Sequence, residues 1–340
     1  MAVVEDDVQT NAASSRRGLA GASARRLVLR RVLLAPAILL AATFSVFVMV
    51  DLSPHDPALA TLGPFASAED RLRYAEEHGL NDPLPLRFGR FLVALAHLDL
   101  GESLIRPEPV IELISRALPV SLQLMVLAVT LAVVFALVLG VLAAWKEGRW
   151  IDRVISGVAA LLHAAPDFWL GLLFIQVFAL GLGVVPSGGY TPPSAGFTPW
   201  LSSMIGPAVT LALGSMAVLT RVIRASMADE LARDYVITAR GAGLSWPVVL
   251  FRNVFRNALI TPVTVLGIIV GSLISGAVLV ESVFNIPGMG TLLVAGVNTG
   301  DLGVVRGVVI VAAAAFILAN LVVDLLYLAL SPKSAEVSGQ

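Results

Sequence analysis

Few side chains in this sequence have the types and spacing that catalysis requires. His163 and Asp167 are four residues apart in an otherwise apolar stretch, a spacing that would place a base and an acid on one helix face. No nucleophilic serine motif accompanies them, and the chain contains no cysteine. An intramembrane enzyme is therefore supported only by a lone His-Asp pair. Structural polarity within the packing is the simpler interpretation, and contact with a substrate is the alternative.

The histidines and lysines of this chain argue against a metal centre and against nucleotide binding. The four histidines show no metal-ligand spacing, so we predict no metal site. A P-loop requires Gly-Lys-Ser/Thr, and neither Lys146 nor Lys333 follows a glycine. We therefore expect no cofactor here, and energy from ATP would have to come through another polypeptide. The net charge of -1 also argues against a nucleic-acid partner.

The elements that carry these residues are predicted to be membrane spans. Of 340 residues, 57% are hydrophobic and only 14% are charged, which indicates an integral membrane protein. Runs that are largely free of charge can cross the roughly 30 Å of hydrocarbon in a bilayer as helices. Such runs cover 32–50, 117–145, 154–180, 205–220, 257–280 and 304–330. The prediction is an all-α protein of the cell membrane with six transmembrane helices.

Arginine and lysine set the expected orientation of these spans. They cluster before the first span and after the second and fourth, which predicts that both termini are cytoplasmic. A signal peptide is the rival interpretation of the first run, but 19 uncharged residues exceed the roughly 7 to 15 of a signal core. The expected divisions are a disordered cytoplasmic tail (1–24), a first transmembrane helix (25–50), an extracytoplasmic insert (51–116), a core of five spans (117–332) and a cytoplasmic tail (333–340).

One cytoplasmic segment interrupts the apolar pattern with charges and glycines. From Ser226 to about Ala242 an apolar side chain recurs every four residues, which predicts a helix that a pair of glycines ends. Ser245 is expected to cap a second helix, with Pro247 in its first turn. The segment 226–256 could lie at the lipid interface, with its arginines on anionic headgroups. Alternatively, it could dock into a groove of a cytoplasmic protein.

Part of this segment, DYVITARGAGL, resembles the cytoplasmic motif of peptide/nickel-type ABC importer permeases, which in the peptide branch typically is DYIRTARAKGL. Ala239 and Gly243 match the second alanine and the glycine of the Glu-Ala-Ala motif that ABC importer permeases carry. The resemblance continues in order from Arg30 through LDLGESL, PSGGY, ESVFNIPGMG and NLVVDLLY. It departs at DLGVVRG, where the family has DYPVVQG and this chain has Arg306 in place of glutamine.

This resemblance implies a type I ABC importer fold and a non-catalytic permease subunit of the oligopeptide and dipeptide class. The chain would form half of a pathway for peptides or similar small solutes. Its partners would be a second homologous permease, two subunits that bind ATP and Mg, and an extracytoplasmic solute-binding protein. The coupling contacts to the ATPase would come from Asp234, Tyr235, Thr238, Ala239, Gly243 and Leu244. An ion-coupled secondary transporter or channel is the alternative function.

The spans also contain polar and small residues that are candidates for contact with the solute or a partner, or for helix packing. Glu281 follows the fifth span at the predicted outer mouth, where it could contact the binding protein or be a solvated rim carboxylate. Together with His163 and Asp167 it is a candidate for contact with the pathway or the binding protein. Gly267 and Gly271 form a GxxxG pattern, which favours close packing of helices, with gating hinges as the alternative.

Overall fold

The chain folds into helices joined by short turns. The computed structural model describes residues 33–52, 57–63, 65–77, 79–106 and 108–330. The predicted tails, 1–24 and 333–340, lie outside these residues. The helices are α1 (Leu33–Asp51), α2 (Pro57–Leu62), α3 (Ala68–Glu77), α4 (Leu84–Ala96), α5 (Val110–Trp145), α6 (Trp150–Ala164), α7 (Asp167–Phe174), α8 (Phe197–Leu231), α9 (Asp234–Gly241), α10 (Trp246–Val248), α11 (Phe255–Ala258), α12 (Ile260–Val283), α13 (Met289–Thr299) and α14 (Leu302–Leu330). Two π-helical stretches, Ile175–Gly181 and Val249–Val254, continue α7 and α10.

The described helices provide the predicted number of spans. Five of them are long and apolar enough to cross a membrane. A sixth span results if α6 and α7, with the π-helical stretch that follows, are counted together, and this pair is bent by 106°. The prediction of an all-α membrane protein with six spans is confirmed on this count.

Several boundaries differ from the predicted ones because helices continue beyond the apolar runs. α5 begins at Val110, inside the predicted insert, directly after Pro109. α8 begins at Phe197 rather than near 205 and ends at Leu231. The helix predicted from Ser226 to Ala242 is wrong as one element, because the extended backbone at Arg233 separates α8 from α9.

The third span is broken rather than continuous. Ala165 and Pro166 both adopt extended backbone between α6 and α7, as expected when a proline excludes the helical conformation at the residue before it. His163 therefore belongs to the end of α6 and Asp167 to the start of α7. The prediction that these two side chains share one helix face is wrong.

The core is centred on α5 and α8, which pack closely because α5 presents small residues to its partner. Ala128, Ala132 and Ala136 recur every four residues and are buried, and Gly140 continues the row. A Cβ at Gly140 would lie 2.7 Å from Cγ2 of Ile223 on α8. In the same way, Gly267 and Gly271 bring α12 against side chains of α14, which supports the packing interpretation of the GxxxG pattern.

Replacing Gly140 with leucine is expected to separate α5 from α8. Overpacking a close contact costs about 1 to 3 kcal/mol, and backbone contact leaves little room for relaxation here. The thermal midpoint of the purified protein measures this effect and should fall clearly. Gly157→Leu is the matched control, because a Cβ at Gly157 meets no described atom within 4 Å. Equal midpoints for the two variants would contradict the packing argument.

The insert and α13 pack together at the end of the helices that is predicted to face outward. Ser67 caps α3 in the insert, since the Asp70 N–H donates to Ser67 Oγ at 3.1 Å. α4 packs on α1 through Phe88 and Phe47, whose rings are 5.3 Å apart. Asp301, which is 3% exposed, accepts from Ser103 Oγ at 2.5 Å and so joins the insert to α14.

Candidate functional site

The predicted cytoplasmic contact residues lie on α9 and in the turn after it, but they point in two directions. Asp234, Thr238, Gly243 and Leu244 are exposed, and 45% of Leu244 is accessible. Tyr235 and Ala239 are instead half-buried and pack against the hydrophobic core of the chain. Val236 between them is 4% exposed. Only the first group is therefore free to touch a partner in this conformation.

Tyr235 fixes α9 to two neighbouring helices. Its hydroxyl donates to Glu230 Oε1 at 3.0 Å, near the end of α8. Asn257 on α11 donates to the same oxygen at 3.4 Å. Burial, the largest cause, together with the nearby Glu230 carboxylate, raises the pKa of Tyr235, so its hydroxyl remains a proton donor at neutral pH. A force applied to α9 would therefore reach α8 and α11 through a hydrogen-bonded junction.

The turn after α9 requires glycine for a conformational reason. Gly243 has φ +81°, in the left-handed region that side chains rarely adopt. The Arg240 guanidinium at the end of α9 lies 5.1 Å from the centre of the Trp246 ring, so a cation–π contact spans the turn. The next helix begins at Trp246 with Pro247 in its first turn, as predicted. The Ser245 side chain, however, makes no capping hydrogen bond, so that part of the prediction is wrong.

Ile237 is a surface residue that is not among the predicted contacts. It lies outside the four-residue apolar repeat, and 67% of it is exposed to solvent. With Asp234, Thr238 and Leu244 it forms a surface that we name the exposed α9 face. Val236 also lies outside that repeat but is 4% exposed, so the sequence alone does not show which of the two side chains faces outward.

The candidates in the third span differ in their surroundings. His163 is exposed at the end of α6. Asp167 is half-buried, and its carboxylate lies against a glycine on each of two facing helices. A Cβ at Gly214 would lie 3.2 Å from Asp167 Oδ1, and one at Gly276 would lie 3.0 Å from Oδ2. Within the described residues, the Asp167 carboxylate has no hydrogen-bond or ion-pair partner.

Glu281 is not at the rim of the protein. It is 0% exposed, so the interpretation as a solvated rim carboxylate is wrong, and it cannot touch a docked protein in this conformation. Its carboxylate accepts from Ser121 Oγ at 2.6 Å and from the Gly290 N–H at 2.7 Å. Ser121 Oγ in turn accepts from the Met289 N–H at 2.7 Å. Glu281 and Ser121 thus accept hydrogen bonds from backbone N–H groups in the first turn of α13, which holds α13 against α12 and α5.

Comparison with known proteins places this arrangement in a family. Residues 136–336 match the family described as binding-protein-dependent transport system inner membrane component, and residues 24–125 match the N-terminal part of such components. The chain belongs to this family. It is therefore a multi-pass subunit of an ABC importer in the cytoplasmic membrane, as the sequence predicted. Neither match supports the ion-coupled alternative.

This permease matches several curated relatives over almost their full length. A putative peptide transport system permease protein of Brucella abortus is 37% identical over 307 residues, which are 90% of this chain and 98% of the relative. An oligopeptide transport system permease protein of Bacillus subtilis is 36% identical over 309 residues, with the same coverage. A glutathione transport system permease protein of Salmonella paratyphi A is 38% identical over 307 residues, 90% of this chain and 97% of the relative.

An ion pair on the predicted cytoplasmic side is not evident from the sequence, because Arg224 is one of many arginines there. Its Nε and Nη2 donate to the two carboxylate oxygens of Asp152 at 2.9 and 2.8 Å. The Asp152 side chain is 6% exposed and also accepts from the Gly148 N–H at 3.0 Å. This bidentate pair fixes α6 to α8 near the start of the segment that leads to α9.

Replacing Asp152 with alanine is expected to destabilise the permease by about 3 kcal/mol, because it leaves a partly buried guanidinium without its main partner. The loss is measured as a lower thermal midpoint of the purified protein. Glu147→Ala is the matched control, since Glu147 contacts the same arginine at 3.6 Å but is 57% exposed. Exposed pairs contribute about 0 to 1 kcal/mol, so the control should change little. A control as damaging as Asp152→Ala would overturn the assignment.

Proposed function

We propose that this permease imports peptides or similar small solutes and that a separate ATPase drives it by binding the exposed α9 face. The observation that carries the proposal is the division of α9 into two sides. On one side, Val236 is buried and Tyr235 is hydrogen-bonded to Glu230, which fixes α9 to the rest of the chain. On the other side, Ile237 and Leu244 expose apolar surface to solvent. An apolar stripe on a short exposed helix is the surface that a groove in a partner protein binds.

The substrate class rests on the relatives. They are named as permeases for peptides, oligopeptides and glutathione, all small solutes that contain peptide bonds. An extracytoplasmic binding protein would deliver the solute to the outer side, where the insert and α13 lie. His163 and Asp167 stay predictions for contact with the solute. The lack of a partner for Asp167 among the described residues supports its availability.

The assembly would contain this chain, a second homologous permease and two ATP-binding subunits. Six spans provide half of a pathway, so two permeases enclose it. ATP and Mg would be bound by the partner subunits, since no lysine of this chain follows a glycine as a P-loop requires. The subunit itself would catalyse no reaction.

The coupling mechanism follows from the contacts of α9. Closure of two ATPase subunits would displace the exposed α9 face as a rigid unit. The junction of Tyr235, Glu230 and Asn257 would pass that displacement to the cytoplasmic ends of α8 and α11. From there α8 and α12 would carry it to the broken third span, which both helices contact.

Transport by the reconstituted complex tests this function. Proteoliposomes should take up a labelled peptide only when ATP, Mg and the binding protein are all present. A sodium or proton gradient without ATP should give no uptake. Peptide uptake driven by either gradient alone would refute the ATP-driven importer and favour the ion-coupled alternative.

A further inference from the structure

A cavity of about 590 Å³ lies on the outer side of the permease, between α1, α4 and the beginning of α14. α1 and α14 are apolar enough to span a membrane and have little of their surface buried in the chain, which leaves them free to face lipid beside the cavity. Phe47 of α1, Phe91 of α4 and Arg306 of α14 are among its lining residues. Arg306 is the position at which the sequence departs from the glutamine of the family pattern.

Arg306 is a partly buried cation that has no anionic partner among the described residues. Its guanidinium carbon lies 4.4 Å from the centre of the Phe91 ring and 5.7 Å from that of Phe47. Its Nε is fully buried and has no hydrogen-bond partner in the part of the chain that the structure describes. No carboxylate in the described part of the chain pairs with it. Stacking on aromatic rings offsets only part of the cost of removing an arginine from water, so an anion that accepts hydrogen bonds from this guanidinium would be stabilised here.

The other arginines of the cavity already have partners. Arg87 pairs with Asp51 at 2.5 Å, which joins α4 to the end of α1. Arg90 pairs with Asp82 at the same distance. Arg306 is therefore the one arginine lining this cavity whose charge no described carboxylate neutralises.

The acids of the cavity limit the charge of a ligand. Asp99 accepts from the Gly101 N–H at 2.8 Å, and Glu102 is exposed. These carboxylates would repel a dianion more strongly than a group with one negative charge, which Arg306 alone can neutralise. Arginine prefers phosphate and carboxylate groups, to which its fork of N–H donors fits.

We propose that the cavity holds the phosphodiester group of a membrane phospholipid, to which Arg306 donates hydrogen bonds. A phosphodiester carries one negative charge, which matches the single unpaired guanidinium. Arg306 lies about one helical turn, or roughly 6 Å, from the start of α14 at Leu302, a depth that suits a headgroup. Exposed apolar side chains of α1, such as Leu40 and Phe44, can accommodate acyl chains beside the cavity.

Native mass spectrometry of the detergent-purified complex tests the proposal with two lipids, phosphatidylglycerol and a diacylglycerol of the same chains that lacks phosphate. Wild type should bind phosphatidylglycerol but not the diacylglycerol. Arg306→Gln should weaken phosphatidylglycerol binding by about tenfold, the effect of losing a charge-assisted hydrogen bond. Arg306→Lys, which keeps the charge, should retain part of the binding.

Arg116→Gln is the matched control, because Arg116 is an exposed arginine that pairs with Glu108 and Glu112. It should leave lipid binding unchanged. Equal phosphatidylglycerol binding by wild type and a stably folded Arg306→Gln variant would overturn the proposal. Displacement of the lipid by millimolar inorganic phosphate would also overturn it, because the site would then belong to a soluble anion.

Discussion

Replacing Gly243 with valine is expected to lower solute uptake at least about tenfold while ATP hydrolysis continues. A β-branched residue is strained in the left-handed region by about 1 to 3 kcal/mol, which changes the turn that orients α9. No described atom lies within 4 Å of the Cβ that a residue at 243 would carry, so the effect comes from the backbone and not from a clash. Uptake and ATPase activity are measured in the same proteoliposomes.

The neighbouring Gly241 gives the matched control for this prediction. It ends α9 without a positive φ, and a Cβ there also meets open space. Gly241→Val should therefore keep both uptake and membrane insertion close to wild type. Normal uptake by Gly243→Val, or equal loss in the two variants, would show that the shape of this turn does not couple hydrolysis to transport.

Replacing Glu281 with alanine should cause the second large effect, a loss of about 3 kcal/mol of stability and release of α13 from the core. The carboxylate is buried and satisfies the Gly290 N–H and the Ser121 hydroxyl, which alanine would leave without their acceptor. The midpoint of thermal unfolding measures the stability. Protease cleavage near Met289 measures the release of α13 and should become faster.

Ser282→Ala controls for substitution at this end of α12. Ser282 is exposed, and its hydroxyl donates only to the Val278 carbonyl of its own helix at 2.8 Å. Its loss should change the free energy of unfolding by less than about 0.5 kcal/mol and leave the thermal midpoint close to wild type. Unchanged stability in Glu281→Ala would mean that α13 is held by its apolar contacts alone.

The sequence predicts the number and place of the spans well, because the cost of burying charge in lipid is visible in composition. It predicts their ends poorly. α5 extends back to Val110 and α8 on to Leu231 because both helices continue into polar flanks, where hydropathy has no signal. The 106° bend in the third span depends on how α7 packs against α8 and α12, and Pro166 alone reveals only that a break exists.

The candidate site is likewise predicted in place but not in detail. The motif DYVITARGAGL identifies the cytoplasmic segment, but only the contacts of α9 with its neighbours show that Tyr235 and Ala239 face inward. The sequence predicts Glu281 at the outer mouth because it follows the apolar run. The chain turns back at Asn285, which has φ +51°, and brings the start of α13 onto the carboxylate. Neither hydropathy nor charge counts reveal such a reversal.

Cross-linking at Ile237 tests most directly whether a separate ATPase binds the exposed α9 face. The chain has no cysteine, so Ile237→Cys introduces a single reactive site at a position that is 67% exposed. A short bis-maleimide should join it to the ATPase in the purified complex, and the cross-link should change with ATP. Val184→Cys, in the outer loop and 63% exposed, should give none. Absence of an ATPase adduct at Ile237 in a complex that still transports with ATP would contradict the account.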